Sequence, residues 1–221
     1  MSASTCPLCH STNTSLLNTM QRGPLAGREY WHCSSCQLIH VPQRFLLNTA
    51  AEKAIYDLHE NNPDDLGYKT FLSRLFTPLT AQLPAASQGL DFGCGPNPVL
   101  ADMFRNAGFG CATFDIFYDN QPATLQQQYD FIVSTEVVEH LAAPAKVFQQ
   151  LLACLKPNAL LGIMTQRWDT FERFKQWTYR NDPTHICFFH EQTFQWLAQK
   201  FGLQLTIYPR DVVIFQQSSS G

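Results

Sequence analysis

The residues best placed to do chemistry are two cysteine pairs, Cys6 with Cys9 and Cys33 with Cys36, each separated by two residues. That spacing lets both sulfurs of a pair reach one ion, and two pairs supply four thiolates for a tetrahedral Zn²⁺. Twenty-three residues separate Cys9 from Cys33, a gap that a zinc ribbon with a long hairpin loop can span. His10, His32 and His40 lie nearby, but four thiolates already close the shell. A closed shell leaves no position for water or substrate, so the pattern favours a structural metal that folds a segment too small to bury a core. A redox pair and a nucleic-acid-binding knuckle are the competing readings. The knuckle fits poorly, because residues 1–44 carry only Arg22, Arg28 and Arg44 against Glu29.

The second pattern is GLDFGCGPNP, residues 89–98. Gly93 and Gly95 permit a sharp backbone turn and close approach by a ligand. Asp91, just before them, suits a ligand bearing an ammonium group and would repel a pyrophosphate. Asp115, twenty residues after Gly95, is placed to accept hydrogen bonds from two ribose hydroxyls. Either acid could instead serve a turn or a helix cap. A third stretch, residues 166–190, is dense in Trp, Tyr, Phe, Arg and His and contains Asp182-Pro183-Thr184-His185. His185 is the candidate base or orienting group, supported by Tyr179 and His140, because an imidazole titrates near working pH. A turn-capping His185 among core aromatics is the alternative.

These residues need a frame. Between the cysteine pairs, Gly23-Pro24 and Gly27 mark chain reversals. From Phe45 the apolar spacing becomes helical in AAEKAIYDLHENN and GYKTFLSRLFTPLTAQL, with Asn62-Pro63-Asp64-Asp65 between them as turn and cap. Tyr56, His59, Asn62 and Tyr68 on this lead-in could form a lid, or could simply pack. QGLDFG then reads as a strand, PVLADMFRNAG as a helix ending at Gly108, and GCATFDI and YDFIVS as strands. APAKVFQQLLACLKP reads as a helix closed by proline, and ALLGIMT as a buried strand. Residues 166–190 read as a loop at the carboxyl end of that strand. EQTFQWLAQKFG is a further helix, and LQLTIYP and VVIFQQ form a hairpin across Arg210-Asp211, ahead of a disordered SSSG tail. Alternation of strands and helices predicts an α/β fold, a Rossmann-like, doubly wound, mainly parallel sheet with an antiparallel C-terminal edge hairpin, preceded by a small zinc ribbon. The boundaries are 1–44 for the zinc-ribbon-like module and 45–221 for the main domain, with 45–85 as its helical lead-in or lid.

Bulk properties agree. In 221 residues, 45% hydrophobic and 15% charged, there is material for one ordinary domain and an appendage. A net charge of -3 argues against nucleic acid as partner. No apolar run reaches the roughly 20 residues of a membrane span, and the N-terminus has no basic segment followed by an apolar one, so a cytoplasmic protein without a membrane partner is expected. Oligomeric state is left open.

From about Gly89 to Phe215 the chain resembles the class I S-adenosylmethionine-dependent methyltransferases. The resemblance implies S-adenosyl-L-methionine as cofactor, its methionine portion on Asp91, Gly93, Cys94 and Gly95 and its ribose on Asp115. It also implies that Thr135, Glu136 and His140, in YDFIVSTEVVEHL, face the cofactor or substrate cleft. The implied activity is methyl transfer to a small-molecule acceptor, sugar-like or carrier-linked by loose analogy with sugar C-methyltransferases that carry a four-cysteine segment. An RNA methyltransferase and a non-catalytic scaffold are the alternatives. Two departures stand out: Asn97 replaces the family's third glycine, and the usual helix and third strand between Asp115 and Asp130 are largely missing, which leaves adenine recognition unassigned.

Overall fold

The computed structural model describes residues 4–58 and 62–217. His59 and the SSSG tail lie outside the described residues. Eleven strands and six α-helices are described. The strands are β1 (Thr14–Thr19), β2 (Glu29–Cys33), β3 (Ile39–His40), β4 (Gln88–Phe92), β5 (Gly110–Phe114), β6 (Tyr129–Thr135), β7 (Leu155–Met164), β8 (Arg167–Trp168), β9 (Cys187–His190), β10 (Leu203–Ile207) and β11 (Val212–Gln217). The helices are α1 (Thr49–Tyr56), α2 (Leu66–Thr80), α3 (Val99–Asn106), α4 (Pro144–Ala153), α5 (Phe171–Gln176) and α6 (Glu191–Phe201). No described helix is long and apolar enough to cross a membrane.

The larger sheet has the order β10-β11-β7-β6-β4-β5. Its β5, β4, β6 and β7 run parallel, and β11 and β10 add an antiparallel edge, as the hairpin reading requires. The period of two along a strand sends alternate residues to opposite faces. On one face Phe131, Val133, Leu160 and Ile214 pack with Leu72, Leu75 and Phe104 of α2 and α3. On the other, Ile132, Leu161, Val213 and Phe215 pack with Phe148 of α4 and Phe194 of α6. Both faces are covered, which makes the sheet doubly wound. The Asn62–Asp65 segment caps α2 as expected, with the Asp65 carboxylate accepting from Gly67 N at 2.7 Å.

The smaller sheet is less legible in the sequence. Its order is β1-β2-β3-β9-β8, so strands of the N-terminal module continue into residues 187–190. Ile39 pairs with Phe188 and His40 with Cys187, and Val41 N donates to Ile186 O at 2.9 Å. Tyr30, Leu38, Ile39, Phe174, Phe188 and Phe189 are all buried in the core that backs the larger sheet. The segment read as a loop, 166–190, therefore holds β8, α5, a 3₁₀ turn at Thr178–Asn181, and β9. In β9 three consecutive residues, Cys187, Phe188 and Phe189, are buried, so the strand carries no alternation by which to recognise it.

Helix α4 also differs from its reading. It ends at Ala153, and Pro157 stands inside β7 instead of closing the helix. Pairing with β6 is broken there, between Tyr129 opposite Leu155 and Phe131 opposite Leu160, so no ladder hydrogen bond is needed from the proline.

Phe188 has no solvent exposure and contacts Tyr30, Phe174, Trp177 and Tyr179 edge-on or tilted. Phe188→Ala is expected to lower stability by about 3–5 kcal/mol in denaturant unfolding; a loss below about 1 kcal/mol would mean that the smaller sheet is not tightly packed on the core.

Candidate functional site

A cavity of about 850 Å³ opens at the carboxyl ends of β4, β5 and β6, beneath α1 and α2. Its size and position match a ligand crevice of an open parallel sheet. Asp91, Gly93, Cys94, Gly95, Asp115, Thr135, Glu136, His140 and His185 all line it. Tyr179 does not line it and stands behind His185. Of the lead-in residues, Tyr56 and Tyr68 line the cavity, whereas Asn62 turns back to accept from Asp64 N.

The glycine loop is built from both ends. Gly93 and Gly95 have φ of 79° and 66°, left-handed values that favour glycine. A Cβ on Gly93 would meet Val137 Cγ2 at 2.3 Å. Phe114 O accepts from Gly93 N at 2.7 Å, and Asp115 Oδ2 accepts from Gly95 N at 3.0 Å. Asp115 Oδ1 accepts from Phe117 N at 2.8 Å and Tyr118 N at 3.1 Å. Asp115 therefore ties the loop to the turn after β5 while exposing its carboxylate to the cavity. The turn role and the ligand-facing position coincide in one side chain.

Acids gather in the cavity wall. Asp91 is 2% exposed, and burial pushes its pKa to about 7, with Asp115 adding to the rise. Cys94 is pushed to about 12 by burial and the neighbouring aspartates, so its thiol stays neutral. Glu136 has φ of 52°, strained for a non-glycine residue, and rises to about 8 through burial, Glu139 and Asp211. Its Oε1 is buried with no hydrogen-bond partner among the described residues.

Behind the wall lies a group the sequence reading passed over. Glu139 has no solvent exposure, accepts from Thr165 Oγ1 at 3.0 Å and from the Tyr179 hydroxyl, and is raised by burial. Its only signal was its place three residues after Glu136, immediately before His140. Glu52 and Asp182 were also missed and line the cavity beside Tyr56, whose hydroxyl donates to Glu52 Oε1 at 2.8 Å.

The histidines meet edge-on, with ring centroids 4.7 Å apart, and Tyr56 packs on His140 at 5.3 Å. His185 Nδ1 lies 2.6 Å from Tyr179 O and His140 Nδ1 lies 3.2 Å from Thr184 O. A carbonyl only accepts, so each Nδ1 carries the proton in these contacts and Nε2 carries the lone pair. Burial, reinforced by His140, holds the His185 pKa below the usual imidazole value and keeps it neutral. Asp182 Oδ2 lies 4.0 Å from His185 Nε2, and its pKa is held low by hydrogen bonds from Thr184 despite burial. A neutral imidazole with Nε2 basic, beside a carboxylate, can accept a proton from a bound hydroxyl, amine or acidic carbon.

The four cysteines form the second cluster. Their sulfurs lie within 4.8 Å of one another, with Cys6 to Cys36 at 3.6 Å and Cys9 to Cys33 at 3.4 Å, and none is in a disulfide. Four thiolates at about 2.3 Å from a tetrahedral zinc stand roughly 3.8 Å apart, so the donor set and its spacing suit that ion.

A family profile described as a methyltransferase domain matches residues 65–207, more than half of the chain. The chain belongs to this family. It is a class I S-adenosylmethionine-dependent methyltransferase. Among solved structures, the Burkholderia thailandensis 1,6-didemethyltoxoflavin-N1-methyltransferase, with bound 1,6-didemethyltoxoflavin and S-adenosylhomocysteine, is 13% identical with a TM-score of 0.58. That match covers 85% of this chain and 99% of the other. A SAM-dependent methyltransferase from Archaeoglobus fulgidus is 14% identical with a TM-score of 0.52, covering 67% of this chain and 94% of that one. At these identities the likeness is one of fold. No curated protein sequence matches the chain.

Within this methyltransferase, Gly93→Ala combines an unfavourable φ with a collision against Val137. Titration calorimetry with S-adenosyl-L-methionine is expected to show at least about tenfold weaker binding, about 1.4 kcal/mol; unchanged affinity would mean that the loop does not cradle the cofactor.

Proposed function

We propose that the chain is a cytoplasmic enzyme that transfers the methyl group of S-adenosyl-L-methionine to a small-molecule acceptor at the His140–His185 end of the cavity. In this reading Zn²⁺ on Cys6, Cys9, Cys33 and Cys36 folds residues 1–44, and residues 45–221 form the catalytic domain with 45–85 as lead-in or lid. The observation that carries the reading is His185, whose Nδ1 is committed to the Tyr179 carbonyl while its ring lines the cavity that the glycine loop also lines.

The cofactor supplies an electrophilic methyl group on a sulfonium. Asp91, Gly93, Cys94 and Gly95 hold its methionine portion, Asp115 its ribose, and Thr135 and Glu136 the wall beside it. Asp91, whose pKa burial raises to about 7, ionises readily against a cationic ligand. His185 Nε2 takes the acceptor's proton, with His140 beside it, and Tyr179 acts from behind by holding the imidazole. Rate comes chiefly from keeping donor and acceptor aligned at about 3–3.5 Å.

An RNA acceptor is less well supported by the module's charges. Arg28 is buried and Arg44 is engaged with Glu29, which leaves Arg22 as the module's remaining arginine.

Wild-type protein is expected to bind S-adenosyl-L-methionine in calorimetry, and Asp115→Ala to weaken it about 10–100-fold. Absence of wild-type binding would favour the non-catalytic scaffold. With a metabolite extract and labelled cofactor, His185→Gln should lower transfer by about 10²-fold or more while leaving cofactor affinity unchanged. Because neutral His185 is the active form and its pKa is lowered, wild-type turnover should persist somewhat below pH 6.5 and fall at lower pH. Unchanged turnover in the variant removes the base.

Elemental analysis should find one zinc per chain, and Cys6→Ser should lose it and destabilise the protein. A metal-free chain of undiminished stability would overturn the structural-zinc assignment.

A further inference from the structure

The module's three arginines were weighed in the sequence only as charges for a nucleic-acid partner, yet Arg28 is 3% exposed. Its guanidinium enters the turn that carries His185. One terminal nitrogen, Nη1, donates to Asp182 O and Pro183 O, both at 3.2 Å, and Nη2 donates to His185 O. Three carbonyl oxygens thus converge on one cation. Without it their dipoles would repel one another in a buried space, so the turn's curvature and the guanidinium are mutually dependent.

The turn has internal ties as well. Asp182 Oδ1 accepts from Thr184 N at 2.8 Å and from the Thr184 hydroxyl, and His185 N donates to Asp182 O at 3.3 Å. Those bonds close the loop locally but do not anchor it to the rest of the protein. Anchoring comes from two sides: the main domain supplies His140 Nδ1 on Thr184 O at 3.2 Å and Glu139 O accepting from Ile186 N at 2.8 Å, and the module supplies Arg28 on the other three carbonyls and Tyr30 OH donating to Arg180 O at 3.0 Å. Gly27, with φ of 88°, and Arg28 N donating to Leu25 O at 3.0 Å set where the arginine side chain leaves the hairpin.

We propose that Arg28 is a positioning residue for the methyl-transfer site: it holds the 182–185 turn so that His185 Nδ1 stays on the Tyr179 carbonyl and Nε2 stays basic. The inference rests on His185 being the base in the reading above. Arginine suits the task because its planar fork addresses several acceptors at once, whereas the ammonium of lysine is a point donor on a flexible stem. The module is thereby part of the catalytic apparatus and not only an appendage to it.

The test uses the full chain with its metal and needs no acceptor. Histidine imidazoles labelled with ¹⁵N report tautomer directly, and the His185 signal is the one missing from His185→Gln. In wild type His185 should show a protonated Nδ1 and an unprotonated Nε2. In Arg28→Gln it should become a mixture of tautomers, with amide exchange at residues 182–186 faster by about tenfold or more; Arg28→Lys should lie between. Metal content and S-adenosyl-L-methionine affinity should stay within about twofold of wild type, because Arg28 touches neither set of residues. An Arg28→Gln variant with the wild-type His185 signal overturns the proposal, as does one that also loses metal or cofactor binding. Failure of wild type to bind S-adenosyl-L-methionine would instead count against the functional reading, and is measured separately.

Discussion

Strand pairing between the N-terminal segment and the rest of the chain runs through two residue pairs, Ile39 with Phe188 and His40 with Cys187. The N-terminal hairpin has little apolar surface to bury against itself, so Tyr30, Leu38 and Ile39 are buried only where β9 brings Phe188 and α5 brings Phe174. In return β9 receives a neighbour for its backbone donors and acceptors, and the turn before it is pinned. The register of β3 on β9 therefore fixes both the module's core and the height at which His185 meets the cavity. A shift of one residue would turn Phe188 from one face of the strand to the other.

The cavity adds an electrostatic constraint. Asp91 and Glu139 are buried, Glu136 is partly buried, and the carboxyl groups of all three are pushed upward. Together they would repel one another if all were ionised, so their burial side by side favours protons on some of them. A cationic ligand reverses that preference. The Tyr179 hydroxyl, itself pushed up by burial and the two glutamates, remains a neutral donor between them. The wall is thus arranged to accept positive charge while leaving the imidazole above it uncharged.

Much of the larger sheet was legible because each strand ends in a recognisable stop: glycines after Phe92, Asp115 after Phe114, and Glu136 after Thr135. The grouping of the four cysteines was legible because its signal is local. What escaped was non-local. The sequence CFFH has no alternation and no hairpin partner nearby, and Arg28 looks like any surface arginine until residues 182–185 arrive around it. Glu139 was hidden in the same way, since its partners Thr165 and Tyr179 come from other segments. Pro157 misled because a proline can end a helix or occupy an interrupted strand, and only the break in β6–β7 pairing decides between them.

The pairing of His40 with Cys187 also has a consequence in time. At typical rates of synthesis, roughly 7–30 s pass between the ribosome's delivery of β3 and its delivery of β9. Throughout that interval the nascent hairpin carries an edge without its strand partner and Arg28 without its carbonyls. The cysteine knuckles, close together in sequence, can close long before the loop between residues 40 and 187 can. The turn that presents the histidine therefore lacks its partners from the main sheet's later segments and the module's strand pairing until β9 has been made.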